Sequence, residues 1–335
     1  MTERRRRMGA FSIVLPFLVL VTFFFPQYSR AAEINWSKVR SSNIYLFYPG
    51  VSSWEFLNSD DHKLGAREIK KGKKNCGHCH LEMDGGLDLK ADEIASGAIR
   101  MKRSHKPFEP EPLPGKKGVI TTEAQAAYDN DYLYLRFSWD SKGASWSQKG
   151  NTPDRVSIQM NKSEQAFRNY GCFITCHNDL STMPQAPSSG DIGRVYKGRD
   201  EARLYAYYAK SSWSERRADA DLRSRDGIID LKSIQFEGGR VSSEDGRVFD
   251  DRVWDEKPGF EGAGSWSSGK YIAVFKIKLG SAGRYNVALS EGDVVTIGLA
   301  IHDYGTDKRK HYVSLPVSVG LGAREADIEA VKLQN

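Results

Sequence analysis

The 335-residue sequence predicts a mainly β fold, a sandwich of short strands preceded by a partly helical N-terminal segment. Three observations carry that expectation. Several stretches alternate apolar and polar residues with period two, the mark of half-buried strands. Gly, Asp and Ser turns separate them at short intervals. Helix-compatible runs gather near the cysteines and in the connections. Composition agrees, since 39% hydrophobic and 27% charged residues fit a soluble globular chain and exclude a polytopic membrane protein or a disordered one.

Residues 119–127 read as a strand, Asp129 and Asn130 as a turn, and 132–139 as the return strand. In the latter Leu133, Leu135, Phe137 and Trp139 share the buried side. Val156, Ile158 and Met160 alternate in a third strand. Residues 271–279 set Tyr271, Ala273, Phe275, Ile277 and Leu279 against Ile272, Val274, Lys276 and Lys278. Within the polar stretch 211–268 the sequence predicts long loops and a partner surface, with shorter strands at 231–236 and 239–253. Residues 294–302 place Val295, Ile297, Leu299 and Ile301 on one face and Thr296, Gly298, Ala300 and His302 on the other. A further strand starts at His311 and carries Val313 and Leu315. Helices are expected at 65–74, 87–102 and 163–170, and a short solvated helix at 323–333.

The first 31 residues stand apart from the fold. Arg4, Arg5, Arg6 and Arg7 precede an apolar run over 10–25, and Ser29 and Ala31 supply small residues before a cut after position 31. This is the pattern of a secretory signal peptide. The competing reading is an uncleaved anchor, but the run falls short of the roughly 20 residues a spanning helix needs. Removing 1–31 takes away five Arg and one Glu, so the formal charge falls from +6 to +2. The basicity is largely an export signal and gives no case for nucleic-acid binding.

The four cysteines form two pairs, Cys76-Gly77-His78-Cys79-His80 and Cys172-Phe173-Ile174-Thr175-Cys176-His177. The first is C-x-x-C-H, the attachment signature of c-type haem. Two thiols one short turn apart can each form a thioether with a haem vinyl group, and the next His supplies an axial imidazole. C-x-x-x-C-H is a variant with a longer loop. A four-thiol zinc site and two short disulfides are the competing readings. Neither accounts for a His directly after both pairs when His is only 7 of 335 residues. The sequence therefore predicts two covalent haems on Cys76, Cys79, His80 and on Cys172, Cys176, His177.

Distal ligands must come from the remaining His and Met residues. A symmetric hairpin would pair His302 with His311 on one face, roughly 5 Å apart. The small residues Thr296, Gly298 and Ala300 would let a flat macrocycle approach the sheet there. His78 lies inside the first attachment loop, where a surface role is expected.

The order of β elements resembles the haem-binding domain of the ethylbenzene dehydrogenase gamma subunit and related domains that accompany dimethyl sulfoxide reductase family enzymes. The stretches that carry the resemblance are residues 126–139 (AAYDNDYLYLRFSW), 154–160 (DRVSIQM) and 297–315, within roughly 115–322. The resemblance implies a β-sandwich that holds one haem between its sheets and exchanges electrons with a partner enzyme. In those subunits the haem is b-type and held by Met and Lys, and Met160 sits where a ligand-bearing strand would run. This chain departs by adding Cys172, Cys176 and His177 and a second motif in an N-terminal extension. His302 or His311 is therefore preferred opposite His177, with Met160 next. For the first haem His105 is preferred, ahead of His62 and the remaining hairpin His.

Together these readings predict a periplasmic dihaem c-type cytochrome passing electrons to or from a partner oxidoreductase, such as a molybdenum-enzyme complex or respiratory cytochrome. Its expected organisation is a signal peptide at 1–31, a haem segment at 32–114, a β-sandwich haem-binding domain at 115–322 and a tail at 323–335. The alternative is a haem enzyme or ligand-binding haem protein with one open iron site. No P-loop, nucleophile elbow, zinc-protease motif or dinucleotide fingerprint marks a catalytic centre.

Overall fold

The computed structural model describes residues 34–48, 63–71, 74–81, 87, 89–98, 115–147, 152–174, 228–248, 252–280, 286–303 and 311–334. Among them run thirteen strands: β1 (Ser41–Phe47), β2 (Val119–Tyr128), β3 (Tyr132–Asp140), β4 (Asp154–Asn161), β5 (Ile229–Glu237), β6 (Arg240–Val248), β7 (Arg252–Trp254), β8 (Phe260–Ser267), β9 (Lys270–Lys278), β10 (Val294–His302), β11 (Tyr312–Ser314), β12 (Val317–Leu321) and β13 (Ile328–Lys332). They form one sheet in the order β7-β6-β5-β4-β10-β11-β1-β2-β3-β9-β8, with β12 on β10 and β13 between β12 and β2. The sheet doubles back, so that β8 packs face to face on β5. A Cβ added at Gly264 would stand 2.7 Å from the Phe236 ring, and one at Gly262 2.8 Å from Ile234. The protein is mainly β, as predicted, with sandwich-like layering.

Period-two alternation fills the space between the layers. Leu133, Leu135, Phe137 and Trp139 of β3, Tyr271, Ala273, Phe275 and Ile277 of β9, and Val295, Ile297, Leu299 and Ile301 of β10 all enter one core. Trp139 stacks on Tyr271 at 5.2 Å between centroids, and Phe236 meets Tyr271 at 4.6 Å. The Tyr271 hydroxyl donates to Asp154 Oδ2 at 2.7 Å. The β2–β3 register is fixed by its turn: Asp129 Oδ1 accepts from the amides of Asp131 and Tyr132, both at 2.8 Å, and Oδ2 accepts from the Tyr134 hydroxyl at 3.0 Å.

A buried ionic group sits on the inward face of β5. Lys232 Nζ donates to Asp230 Oδ1 at 2.9 Å and Asp245 Oδ1 at 2.8 Å, and all three side chains are 1% exposed. Burial opposes the charge on Lys232, but Asp230 and Asp245 outweigh it and hold its pKa up. The carboxylates accept further bonds from the amides of Gly259 and Val287, so their lone pairs are met by backbone as well.

The structure departs from the sequence reading at several elements. Residues 328–332, expected as part of a solvated helix, form β13, which pairs parallel with both β12 and β2. Ile328 and Ala330 alternate into the core, and open sheet edges on both sides outweigh the helix propensity of Ala, Glu and Lys. The shorter strands expected at 231–236 and 239–253 are present as β5, β6 and β7, whereas β8 stands where loop was expected, and 211–227 lie outside the described residues. The glycines that make β8 look loop-like are what admit the opposing layer. The helix expected at 87–102 covers only Ala91–Ser96 and ends at Gly97, whose φ of +82° gives a left-handed cap. The helices expected at 65–74 and 163–170 are found as Lys63–Lys70 and Gln165–Tyr170. Strand β1 was not foreseen. It lies within 32–114 and inserts between β11 and β2, so this part of the N-terminal segment belongs to the sheet. Among the described residues no helix is long and apolar enough to cross a membrane; the 1–31 segment lies outside them.

Two outcomes follow for stability. Gly264→Ala should lower unfolding free energy by about 1–3 kcal/mol in urea titration, because the new methyl meets the Ile272 carbonyl and the Phe236 ring. Lys232→Met should cost about 3–5 kcal/mol, since it strands two buried carboxylates.

Candidate haem-attachment site

The site lies on the outward face of β10, opposite the sandwich core. Antiparallel partners share a face, and β10 pairs Gly298 with Gln159 and Ile297 with Met160. Gly298, Ala300 and His302 therefore point away from the core. β10 also changes partner midway. Residues 294–297 pair with β12 and residues 300–301 with β11, and Pro316 separates those two strands. At that junction Ser314 Oγ accepts from the Leu299 amide at 3.0 Å.

The second attachment segment enters at this junction. Asn161 ends β4 and accepts, through Oδ1, from the amides of Ser163 and Glu164 at 2.8 and 2.6 Å. This side-chain turn leads into α1 (Gln165–Tyr170), which is followed by a 3₁₀ turn over Gly171–Ile174. Gly171 adopts φ +57° and packs on Pro316. Cys172 then rests on Gly298, where an added Cβ would lie 2.3 Å from its Sγ and 3.0 Å from its amide nitrogen. The small face predicted for β10 thus serves to admit this cysteine. Phe173 stacks on Phe47 of β1 at 5.7 Å and 22°.

The first attachment segment docks on the same face. Cys76 precedes a single helical turn over Gly77–His80, where the amides of Cys79 and His80 both donate to the Cys76 carbonyl at 3.1 Å. Cys79 is exposed, His80 is half-buried, and Cys76 is buried. Burial pushes the Cys76 thiol up to about 12, so it is a neutral thiol in this environment. Its Sγ donates to the Asn169 carbonyl at 3.5 Å. His78 points back to Asn75, with Nδ1 2.9 Å from Asn75 Oδ1, and is exposed, in line with the surface role expected for it. Downstream, Asp92 Oδ1 accepts from the Gly118 amide at 2.6 Å, and the Gly118 backbone lies directly against Ala91. Cys76, Ala91, Phe47, Tyr170, Phe173 and Ala300 belong to one apolar cluster on this outer face.

His302 and His311 meet beside it. The β10–β11 register pairs Ala300 with Val313 and Ile301 with Tyr312, and the two imidazoles stack at 4.5 Å and 21°. The symmetric hairpin foreseen from sequence is present. His302 is 1% exposed. Next to it, Asp303 accepts from Ser141 Oγ at 2.6 Å and from Lys116 Nζ through its carbonyl. Burial raises the Asp303 carboxyl pKa and lowers that of Lys116. Met160, in contrast, is fully buried in the sandwich core. It stands on the other side of the sheet from Cys172, because its strand position alternates with that of Gln159. Cys176, His177, His105 and His62 lie outside the described residues.

The donor chemistry fits covalent haem. Cys76 and Cys79 share one turn with an imidazole immediately after, and Gly298 opens the space that Cys172 occupies. No group of three or more His, Cys, Asp or Glu suited to a metal ion occurs among the described residues. What sequence reasoning missed is the role of Asn169, Tyr170 and Phe47 in joining the two segments, which no local pattern announces.

Comparison with known proteins bears on this geometry. The family model described as ethylbenzene dehydrogenase matches residues 34–233, a span that begins before β1 and contains both cysteine pairs. Cytochrome c-552 from Stutzerimonas stutzeri is 31% identical over 307 residues, covering 90% of this chain and 92% of that protein. Cytochrome c-551 from Rhodocyclus tenuis is 26% identical over 307 residues, covering 89% of this chain and 99% of that one. Among solved structures, a family 9 carbohydrate-binding module from Caldicellulosiruptor kristjanssonii aligns with 59% of this chain and 65% of its own, at 8% identity and a TM-score of 0.28, too distant to bear on function. The chain belongs to the ethylbenzene dehydrogenase family, as a c-type haem relative within it.

Proposed function

We propose that this chain is an exported dihaem cytochrome c that carries electrons between a partner oxidoreductase and a respiratory chain. The observation that carries the reading is the placement of both attachment cysteines, Cys76 and Cys172, against one face of the sheet. The relatives named cytochrome c-552 and c-551 support it over nearly the full length. Haem held there would supply a one-electron Fe(III)/Fe(II) couple.

The chain's own residues set the terms of that exchange. Cys76 with Cys79, and Cys172 with Cys176, would hold haem by thioethers, and His80 and His177 would each supply an imidazole. His302, buried on the outward face beside His311, would supply a further imidazole to the haem of the second cysteine pair. Met160 is left to the core it fills. His105 is retained as the candidate sixth ligand of the first haem. Two strong protein ligands on each iron keep it low-spin and favour electron transfer over substrate binding. The signal peptide at 1–31 delivers the chain to the periplasm, where thioether attachment takes place. Arg67, Lys71 and Lys74, beside the Cys76 turn, form part of a basic run that suits an acidic redox partner.

Three measurements test this. A pyridine haemochrome assay of the mature protein should count two c-type haems, and Cys172→Ser with Cys176→Ser should leave one; a colourless protein, or one with zinc on four thiols, overturns the reading. The oxidised protein should be wholly low-spin, and His302→Ala should convert one haem to high-spin; a high-spin iron in the unaltered protein would favour the ligand-binding alternative. Reversing Lys70, Lys71, Lys73 and Lys74 to Glu should slow association with an acidic redox partner at low ionic strength and leave the rate at high salt nearly unchanged.

A further inference from the structure

At one end of the sandwich core the inward phase of the strands turns polar. The β2–β3 and β3–β9 registers set Thr122, Trp139 and Tyr271 in one row across three strands. All three face inward, because Ala124, Phe137 and Ala273, two places away on each strand, line the core. Trp139 stacks on Tyr271, and Phe236 of β5 meets both rings. Two carboxyl groups close this end. Asp154 of β4 accepts from the Tyr271 hydroxyl at 2.7 Å. Asp303, just past β10, accepts at 2.6 Å from the hydroxyl of Ser141, which lies two residues beyond Trp139.

Two atoms of the row are left over. Thr122 and Trp139 are 0% and 1% exposed, and among the described residues neither Thr122 Oγ1 nor Trp139 Nε1 has a hydrogen-bond partner. Facing places on paired strands bring their Cβ atoms to roughly 5 Å. A hydroxyl and an indole N–H left dry in a core are costly, and protein interiors answer such groups with protein atoms or ordered water. The chemistry of the place selects the occupant. An indole nitrogen only donates, so it does not suit a cation. The nearby carboxyl groups of Asp154 and Asp303 do not suit an anion. A small neutral molecule that both accepts and donates suits all of them.

We propose that an ordered internal water bridges Trp139 and Thr122, accepting from Trp139 Nε1, bonding to Thr122 Oγ1 and donating towards the Asp154 and Asp303 carboxyl groups. Those partners are as many as a buried water needs. The inference stands apart from the haem reading, since it concerns the inward face of the sheet, opposite the face that carries Cys172. It makes this end of the core a hydrated one, whereas Met160, near the other end of β4, packs in hydrocarbon.

The test uses the mature holoprotein. Its crystal structure should show one water within hydrogen-bonding distance of both Trp139 Nε1 and Thr122 Oγ1. In urea titration Thr122→Val, which keeps the shape of the side chain, should raise the unfolding equilibrium constant about tenfold, because the water loses a partner and the indole N–H is stranded. A dry site gives the opposite sign, since valine then removes an unpaired buried hydroxyl. A crystal structure without that water, or a Thr122→Val protein at least as stable as its parent, overturns the inference. Should the variant fail to fold, nuclear magnetic resonance of the reduced protein with isotope-labelled tryptophan decides, the Trp139 indole signal being assigned by its loss in Trp139→Phe. Cross-relaxation between that indole proton and a long-lived water supports the site; its absence overturns it.

Discussion

Strand β10 is buried on both faces, and the rest of the molecule is arranged around that constraint. A half-exposed strand needs only one apolar phase, whereas a strand covered on both sides must satisfy two different neighbours. The inward phase of β10 is Val295, Ile297, Leu299 and Ile301, which knit the sandwich core. Its outward phase shrinks to Gly298 and Ala300, and onto that shallow surface the Cys172 turn descends to contact distance. A side chain at 298 would collide with the cysteine, so the scaffold and the second cysteine segment meet at one missing Cβ.

The partner switch along β10 is the second half of the same device. Pro316 cannot donate to a ladder, and it divides β11 from β12 where the attachment turn enters. Ser314 meets the amide of Leu299 that a continuous strand would have paired. Gly171, in a left-handed conformation, closes over the proline. An interruption in backbone pairing thus becomes an entry point, and the polar groups it exposes are met locally.

The inner core of the described sheet is filled by side chains. Met160 packs among aliphatic and aromatic side chains, and Lys232 is held by Asp230 and Asp245. Packed hydrocarbon and a closed ionic group make this part of the interior a structural layer. Cys76 and Cys172 lie on the opposite surface, beside β1 and β10.

The sequence by itself determined the phase of each long strand, because period-two alternation in β3, β9 and β10 is strict and the sandwich core accepts no other register. It also set the spacing of Cys76, Cys79 and His80, which is met within one turn, and it pointed to the His302–His311 pairing through the symmetry of a hairpin. Tertiary structure alone decided the rest. β13 is a strand because β2 and β12 offered it edges, β8 a strand because its glycines admit Phe236, and β1 part of the sheet because β11 and β2 left a gap. The meeting of Cys76 with Asn169 was equally invisible, for contacts between residues 93 positions apart depend on how the sheet closes and leave no periodic trace in either segment.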